Sequence, residues 1–324
     1  FSLLNSGNYL DKSLHALLGK WPQYLGICFI VQDIAYEDGI FKRGIFMFLS
    51  GALLALSSGL SQHLFGVEFL RNRSIASTNR GFSAVTSSFA HYNDFGSYLV
   101  VVSSFLFILA LSPRALKIKT YGFLALAVLS VVLIFLSLSR GAWIALIVSS
   151  VLIAVLFGRG SKRFIPLLLV FAVTFLFPIF HERMLFTFKV GGDNDRFRIW
   201  LAAWKMIEEH PFLGMGVGTF MANFSEYLPG ISISYAHNCY LQIWAETGFF
   251  SLASFLVFIV SLVYLGVKKF IATRDLLLLG LVCGTVGFLV HSFFDTNLYS
   301  LRLAILFWAW AGLILARMNI HETQ

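Results

Sequence analysis

Charge is scarce in this chain. Asp, Glu, Lys and Arg together make up 12% of its 324 residues, where a soluble domain carries about 25%. So little charge cannot cover a water-facing surface, which excludes an ordinary soluble globular domain. Cysteine is nearly absent: Cys28, Cys239 and Cys283 are too few and too scattered for a disulfide framework or a zinc site. No P-loop and no His-Glu-x-x-His pair occurs, which argues against an ATPase and a membrane zinc protease. Internal repeats and Gly/Ser linkers are missing as well, so residues 1–324 read as a single integral membrane domain.

What the chain has in abundance is apolar surface: 58% of its residues are hydrophobic and 16% of all residues are aromatic. This composition predicts an all-α polytopic membrane protein. Apolar windows fall at roughly 23–36, 44–62, 95–112, 121–138, 141–157, 164–180, 241–265, 276–293 and 300–316, about nine spans. The first is the weakest, because Gln32 and Asp33 interrupt it. The net charge of +8 fits loop topology and an anionic ligand, with no call for nucleic acid. Lys42 and Arg43, then Arg114, Lys117 and Lys119, then Arg159, Lys162 and Arg163, then Lys268, Lys269 and Arg274, and finally Arg317 occupy every second link. The positive-inside rule makes those links cytoplasmic. The segments 1–22, 63–94, the tight link at Arg140, 181–240 and the link near Asp295 are then expected outside. Nine spans leave the amino terminus outside, and the first residue is Phe1; both lead us to expect further spans upstream.

The segment 181–240 is the large outer loop. Within it, DNDRFRIWLAAWKMIEEHP reads as a helix that stops at Pro211. Trp200, Trp204 and Ile207 form its expected apolar stripe, suited to lying on a membrane surface. Glycines 214, 216 and 218 then make a turn-rich return.

Four outward features can carry chemistry. Arg140, in LSLSRGAW, sits in a link of a few residues, where burying a cation without a partner is costly; a snorkelling Arg is the plainer alternative. Arg196 and Arg198, with Trp200, open the surface helix, and guanidinium forks at a helix start suit phosphate oxygens. His237, in YAHNCYLQIWAETG, can accept a proton near neutral pH, with Asn238, Gln242 and Glu246 placed to orient it or to bind polar substrate groups. Arg80, His91, Asn93 and Asp94 cluster before a span, where helix capping is the plainer role. His291 and Asp295 stand at i, i+4 and can face each other on a helix, a weak metal pair without further ligands. Arg and His without a ligand set suit binding a pyrophosphate and activating a hydroxyl.

RFRIWLAAWKMIEEHPFLGMGVGTF followed by AHNCYLQIWAETGFF closely resembles the signature of the O-antigen ligase and O-antigen polymerase superfamily. SLSRGAW, RGFSAVTSSFAHYNDFGSYL and HSFFDTNLYSLRLAILFWAWAGL resemble further segments of it, so that the likeness runs from about 75 to 316. The resemblance implies a GT-C-type helical bundle, about twelve spans in a full-length member, with one large structured periplasmic loop. It implies a glycosyltransferase at the bacterial inner membrane that needs no metal or other cofactor. Its partners would be a polyprenyl-pyrophosphate-linked glycan donor, a lipid A core or glycan acceptor, and membrane lipids. By this resemblance Arg140 and Arg196, assisted by Arg80, hold the donor pyrophosphate, and His237 deprotonates the acceptor hydroxyl, which displaces pyrophosphate with inversion. Ligase-like transfer is the favoured expectation; O-antigen polymerase and protein O-oligosaccharyltransferase stand beside it. From a different class, a lipid-linked glycan transporter should place its polar groups along the depth of the spans.

Overall fold

The computed structural model describes residues 2–77, 83–112, 117–157, 194–229 and 235–320. Arg80 and the window at 164–180 lie outside them. The described residues form eleven α-helices: α1 Leu10–Gly19, α2 Trp21–Ile34, α3 Asp38–Phe65, α4 Tyr92–Leu111, α5 Lys117–Leu136, α6 Arg140–Phe157, α7 Asn194–Glu209, α8 Phe220–Tyr227, α9 Cys239–Thr273, α10 Leu276–His291 and α11 Leu301–Ile320. A two-residue β-ladder, Ala76–Ser77 against Ser83–Ala84, is the described strand pairing.

Six of these helices, α3, α4, α5, α6, α9 and α11, are long and apolar enough to cross a membrane. The 23–36 window departs from expectation. It forms α2, 14 residues long, which at 1.5 Å per residue reaches about 21 Å and falls short of a ~30 Å hydrocarbon core. The 276–293 window forms α10, 16 residues, short by the same measure but buried along most of its length among its neighbours.

α4 is the central helix. It packs against α5, α6 and α10, while α11 packs against α2. Close approach depends on small residues, as membrane helices require. A Cβ on Gly280 would stand 2.7 Å from the Phe105 ring, one on Gly287 2.5 Å from Val100, and one on Gly96 3.0 Å from Ala142 and Ser139.

The two ends of the bundle hold different polar constructions. At one end Arg317 donates through Nε to Asp275 at 2.5 Å and through Nη1 to Asp38 at 2.7 Å, and packs over the Phe41 ring. This ties α3, α10 and α11 together, and Asp275 also caps α10 by accepting from Leu277 N–H. At the other end Cys239 N–H donates to Ser292 O, Val85 N–H to Leu136 O, and Gln62 Oε1 accepts from Thr86 and Ser87. Three of the links that the charge pattern sorted together, at Asp38, Asp275 and Arg317, therefore meet at one end; residues 113–116 and 158–163 of the other two lie outside the described residues.

α9 is broken. Gly248 has φ +80 inside it, and a break frees carbonyls that must find donors away from water. The segment after α7 supplies them: Met215 N–H bonds Ala245 O at 2.9 Å and Gly216 N–H bonds Glu246 O at 3.0 Å. In return Phe249 N–H and Trp244 Nε1–H both reach Pro211 O. A Cβ on Gly248 would lie 2.1 Å from Phe212 O, so no other residue fits, whatever its φ preference. Gly248→Ala should lower the midpoint of thermal unfolding in detergent by at least ~5 °C, while Gly51→Ala, whose Cβ meets nothing within 4 Å, should leave it unchanged; equal midpoints would remove the break as a structural requirement.

Candidate functional site

His237 occupies the turn before α9 with φ +50, a left-handed conformation that costs a non-glycine residue about 1–3 kcal/mol and persists only where its surroundings enforce it. They do so here. Asn238 caps α9 by accepting from Tyr240 and Leu241 N–H at 2.9 and 3.1 Å. Cys239, fully buried, is pinned to Ser292 O by its N–H and faces Asp295 O and Asn297 Oδ1 through Sγ. The turn therefore lies against the linker between α10 and α11, and His237 Nδ1 sits 3.0 Å from Asp295 Oδ1.

Asp295 is 8% exposed, and its Oδ1 also accepts from Thr296 N–H at 2.8 Å. Burial pushes its carboxyl up; the hydrogen bond from His237 and the charges of His237, Arg196 and His291 outweigh this and hold it well below the usual carboxylate range. Whenever the imidazole is in its neutral form, an ionised Asp295 keeps the ring proton on Nδ1 and leaves the lone pair on Nε2. The His237 side chain is 33% exposed, so an imidazole held by a buried carboxylate is open to the outside of the fold.

The surroundings are cationic. Arg196, half-buried in the first turn of α7, bears on Asp295, His91 and His291 alike. His91 caps α4 by accepting from Asn93 N–H through Nδ1 and stacks on Tyr92 with centroids 4.1 Å apart. Burial, with the positive charges of His237 and Arg196, lowers its pKa against the opposing pull of Asp295. Arg140 opens α6 beside this group. Ser139 Oγ is 3.3 Å from His291 Nε2, and a Cβ on Gly141 would stand 2.8 Å from Phe294, so the Ser-Arg-Gly turn packs directly on the Asp295 linker. Trp200 joins the pieces: its Nε1–H donates to Ala236 O at 3.1 Å and its ring meets Phe293 edge-on.

The structure thus brings His237, Arg196, Arg140 and Trp200 to one place, with Asn93 buried one step away in the first turn of α4. Arg198 is exposed and shows no contact with the dyad. Gln242 and Glu246 act one shell back. Gln242 Oε1 accepts from Ala236 N–H at 3.0 Å and its Nε2 donates to Glu246, while Glu246 receives Gly218 N–H, Phe220 N–H and Tyr299 OH. They position the His237 turn and do not reach its ring. Two expectations need correction. Of the expected α7 stripe, Ile207 is buried with Ile199, Ala202, Ala203 and Met206 on Met215, Phe220 and Phe224, whereas Trp204 is 45% exposed beside the exposed Phe197 and Leu201; the apolar residues of α7 are divided between a face covered by protein and an open one. His291 and Asp295 do not pair as side chains on one helix, because α10 ends at His291 and Asp295 turns to His237.

Asp295 as the partner of His237 is what sequence reasoning missed; 58 residues separate them and no spacing rule spans that gap. Among the described residues no group of three His, Cys, Asp or Glu can hold a metal ion. The chain also contains the acidic triplet Asp193-Asn194-Asp195, whose side chains lie outside the described set.

A family model described as O-antigen ligase matches residues 125–256, a stretch that holds Arg140, Arg196 and His237 and supports the O-antigen ligase/polymerase superfamily. No curated protein matches the chain.

Asp295→Asn should leave the fold intact and misplace the imidazole proton, so that any reaction in which His237 acts as a base should slow by roughly 10²-fold or more. The structural contribution of the Asp295 carboxylate has a definite sign: it is depressed, so its stabilisation is present above about pH 4 and is lost as pH falls through its lower native value. Unfolding midpoints of wild type and Asp295→Asn should therefore converge at acid pH; divergence there would contradict an ionised Asp295.

Proposed function

We propose that this membrane protein, with its O-antigen ligase region, transfers a glycan from a polyprenyl-pyrophosphate carrier to an acceptor hydroxyl. The observation that carries the reading is the Asp295–His237 dyad, its Nδ1 on the carboxylate and its side chain 33% exposed, with Arg196 and the Arg140 turn on its flank. His237 Nε2 takes the proton of the acceptor hydroxyl as that oxygen attacks the anomeric carbon. The bond from that carbon to the pyrophosphate oxygen breaks, the carrier leaves with the electron pair, and the configuration inverts. Pyrophosphate is a good leaving group, so the protein's task is to position it and offset its charge, which suits Arg196, Arg140 and, by the family pattern, Arg80. The mechanism assigned to these residues needs no metal.

An apolar cleft between α2 and α9 supports a lipid-borne donor. A cavity of about 340 Å³ lined by Leu213, Ile243 and Thr247 adjoins one of about 550 Å³ lined by Phe29, Phe258 and Trp308, and the two share Trp21, Phe250, Ser251 and Phe255. The cleft begins on the same half of α9 that His237 precedes. Ligase-like transfer to a lipid A core is the favoured activity, at the outer face of the bacterial inner membrane. A polymerase would instead lengthen the donor glycan, and a transporter would move it without any new bond.

Purified full-length protein, given a polyprenyl-pyrophosphate glycan and a lipid A core acceptor, should form product in EDTA, and His237→Ala should reduce the rate by roughly 10³-fold. Loss of activity in EDTA would move attention to Asp193 and Asp195; normal turnover by His237→Ala would remove it as the base. For topology, Glu226→Cys on exposed α8 should label with an impermeant thiol reagent from the periplasm, against the low background of three buried native cysteines. Protection there would overturn the outward placement of the site.

A further inference from the structure

The positive-inside bias disfavours cations on the outer face, yet that end of the bundle carries arginines that the dyad does not use. Three of them, Arg71, Arg73 and Arg302, form one group. Arg73 Nη1 donates to Phe89 O at 2.8 Å and Arg302 Nη1 to Ser88 O at 2.8 Å. Consecutive carbonyls therefore hold the two guanidinium groups side by side, and Arg302 lies 5.8 Å over the Phe89 ring. The charges of Arg71 and Arg73 both bear on Arg302.

The arrangement is built, not incidental. Arg71 and Arg73 flank Asn72, which has φ +53, in a tight loop organised around Glu68. That carboxylate is fully buried, and it accepts from Leu70 N–H, Arg71 N–H and Ser58 OH. Burial works against its ionisation, but these hydrogen bonds prevail and keep its pKa low, so its charge serves the loop backbone. The platform is rigid too: Phe89 is buried against Phe95 and Tyr98. Among the described residues no carboxylate stands in ion-pair contact with Arg71, Arg73 or Arg302. The acid whose charge bears on Arg302 is Asp94, which accepts a hydrogen bond from Ser300. Each guanidinium has five N–H donors, and Arg73 and Arg302 each donate through one nitrogen to the platform.

The cluster adjoins the dyad. Asp94 feels both Arg302 and Asp295, and His91, two residues past Phe89, feels Asp295 and His237. We infer that Arg71, Arg73 and Arg302 form an anion-binding subsite that seats a phosphoryl substituent of the acceptor, distinct from the pyrophosphate position beside Arg196. This rests on the proposed transfer reaction for the identity of the acceptor. Forked guanidinium donors match a phosphate monoester, which carries close to two negative charges at neutral pH.

Binding is the direct test, read without turnover. Full-length protein in phosphatidylcholine nanodiscs is titrated with a phosphorylated core oligosaccharide and with the same oligosaccharide after dephosphorylation. The phosphorylated form should bind at least ~10-fold more tightly. Arg71→Gln/Arg302→Gln, and the milder Arg71→Gln alone, should erase or shrink that preference and leave the dephosphorylated affinity unchanged. Lys12→Gln, which removes a charge elsewhere, should have no effect. Equal affinities in wild type, or a preference that survives the double substitution, would overturn the subsite. A preference seen in phosphatidylcholine that vanishes when phosphatidylglycerol is added would give the arginines to a lipid headgroup and overturn the acceptor assignment. Failure of the transfer reaction would appear separately, as absent turnover with the phosphate preference intact.

Discussion

A broken helix in an apolar bundle is tolerable only when the freed carbonyls are met, and this requirement organises the end of the protein that holds His237. The break at Gly248 hands Ala245 O and Glu246 O to the backbone of Met215 and Gly216, and Pro211 O receives Phe249 and Trp244 in exchange. The segment following α7 is thereby fastened to α9. The Glu246 side chain extends the fastening to Gly218, Phe220 and Tyr299. The amino-terminal segment joins it, with Asn5 bonded to Gly214 O and Ser13 to Val217 O. Once these bonds are made, α7 can lie in one place, with its apolar face on Phe220 and Phe224 and Arg196 beside Asp295.

The dyad inherits that order. Its two members come from different linkers, and each linker is held by neutral buried groups. Asn297 is the meeting point: Ser292 Oγ–H and Cys239 Sγ–H approach its Oδ1, and its Nδ2–H₂ reaches Ser97 Oγ on α4 and Phe288 O on α10. Three helices, α4, α9 and α10, thus contribute to the placement of one carboxylate. Preorganisation of this kind matters because a base acts only within about 3 Å of the proton it removes, and loop residues alone rarely hold such tolerance.

Much of the fold was legible. Apolar windows marked α3 through α6 and α9 through α11, because spanning length is a one-dimensional property, although α3 starts at Asp38 ahead of the 44–62 window and α9 runs on to Thr273 beyond the 241–265 window. The window around residue 30 misled for the same reason: apolar composition continues there, but Trp21–Ile34 is too short. Gly248 could not be recognised as a break, since a glycine inside an apolar run also serves close packing, as Gly280 and Gly287 do. In the site, His237, Arg140 and Arg196 stood out as polar residues beside membrane spans, where they cost free energy. Asp295 did not, because its value comes from a partner far along the chain. Asn238, Gln242 and Glu246 were visible as a polar group, yet their work is capping and bracing, which depends on which backbone N–H groups the fold leaves open.

The linker from Ser292 to Arg302 is short and stiff, closed by a 3₁₀ turn at Asn297–Tyr299 and by the Asn297 bonds. It carries the carboxylate of the dyad near one end and a guanidinium at the other. Were both to meet one substrate, such a linker would keep their separation constant, as the marks on a ruler do. An acceptor held by its anionic group at the far mark would present to His237 only a hydroxyl at one fixed distance along its length. The regiochemistry of the product would then be written in the geometry of eleven residues of backbone, independent of any recognition of the sugar that bears the hydroxyl.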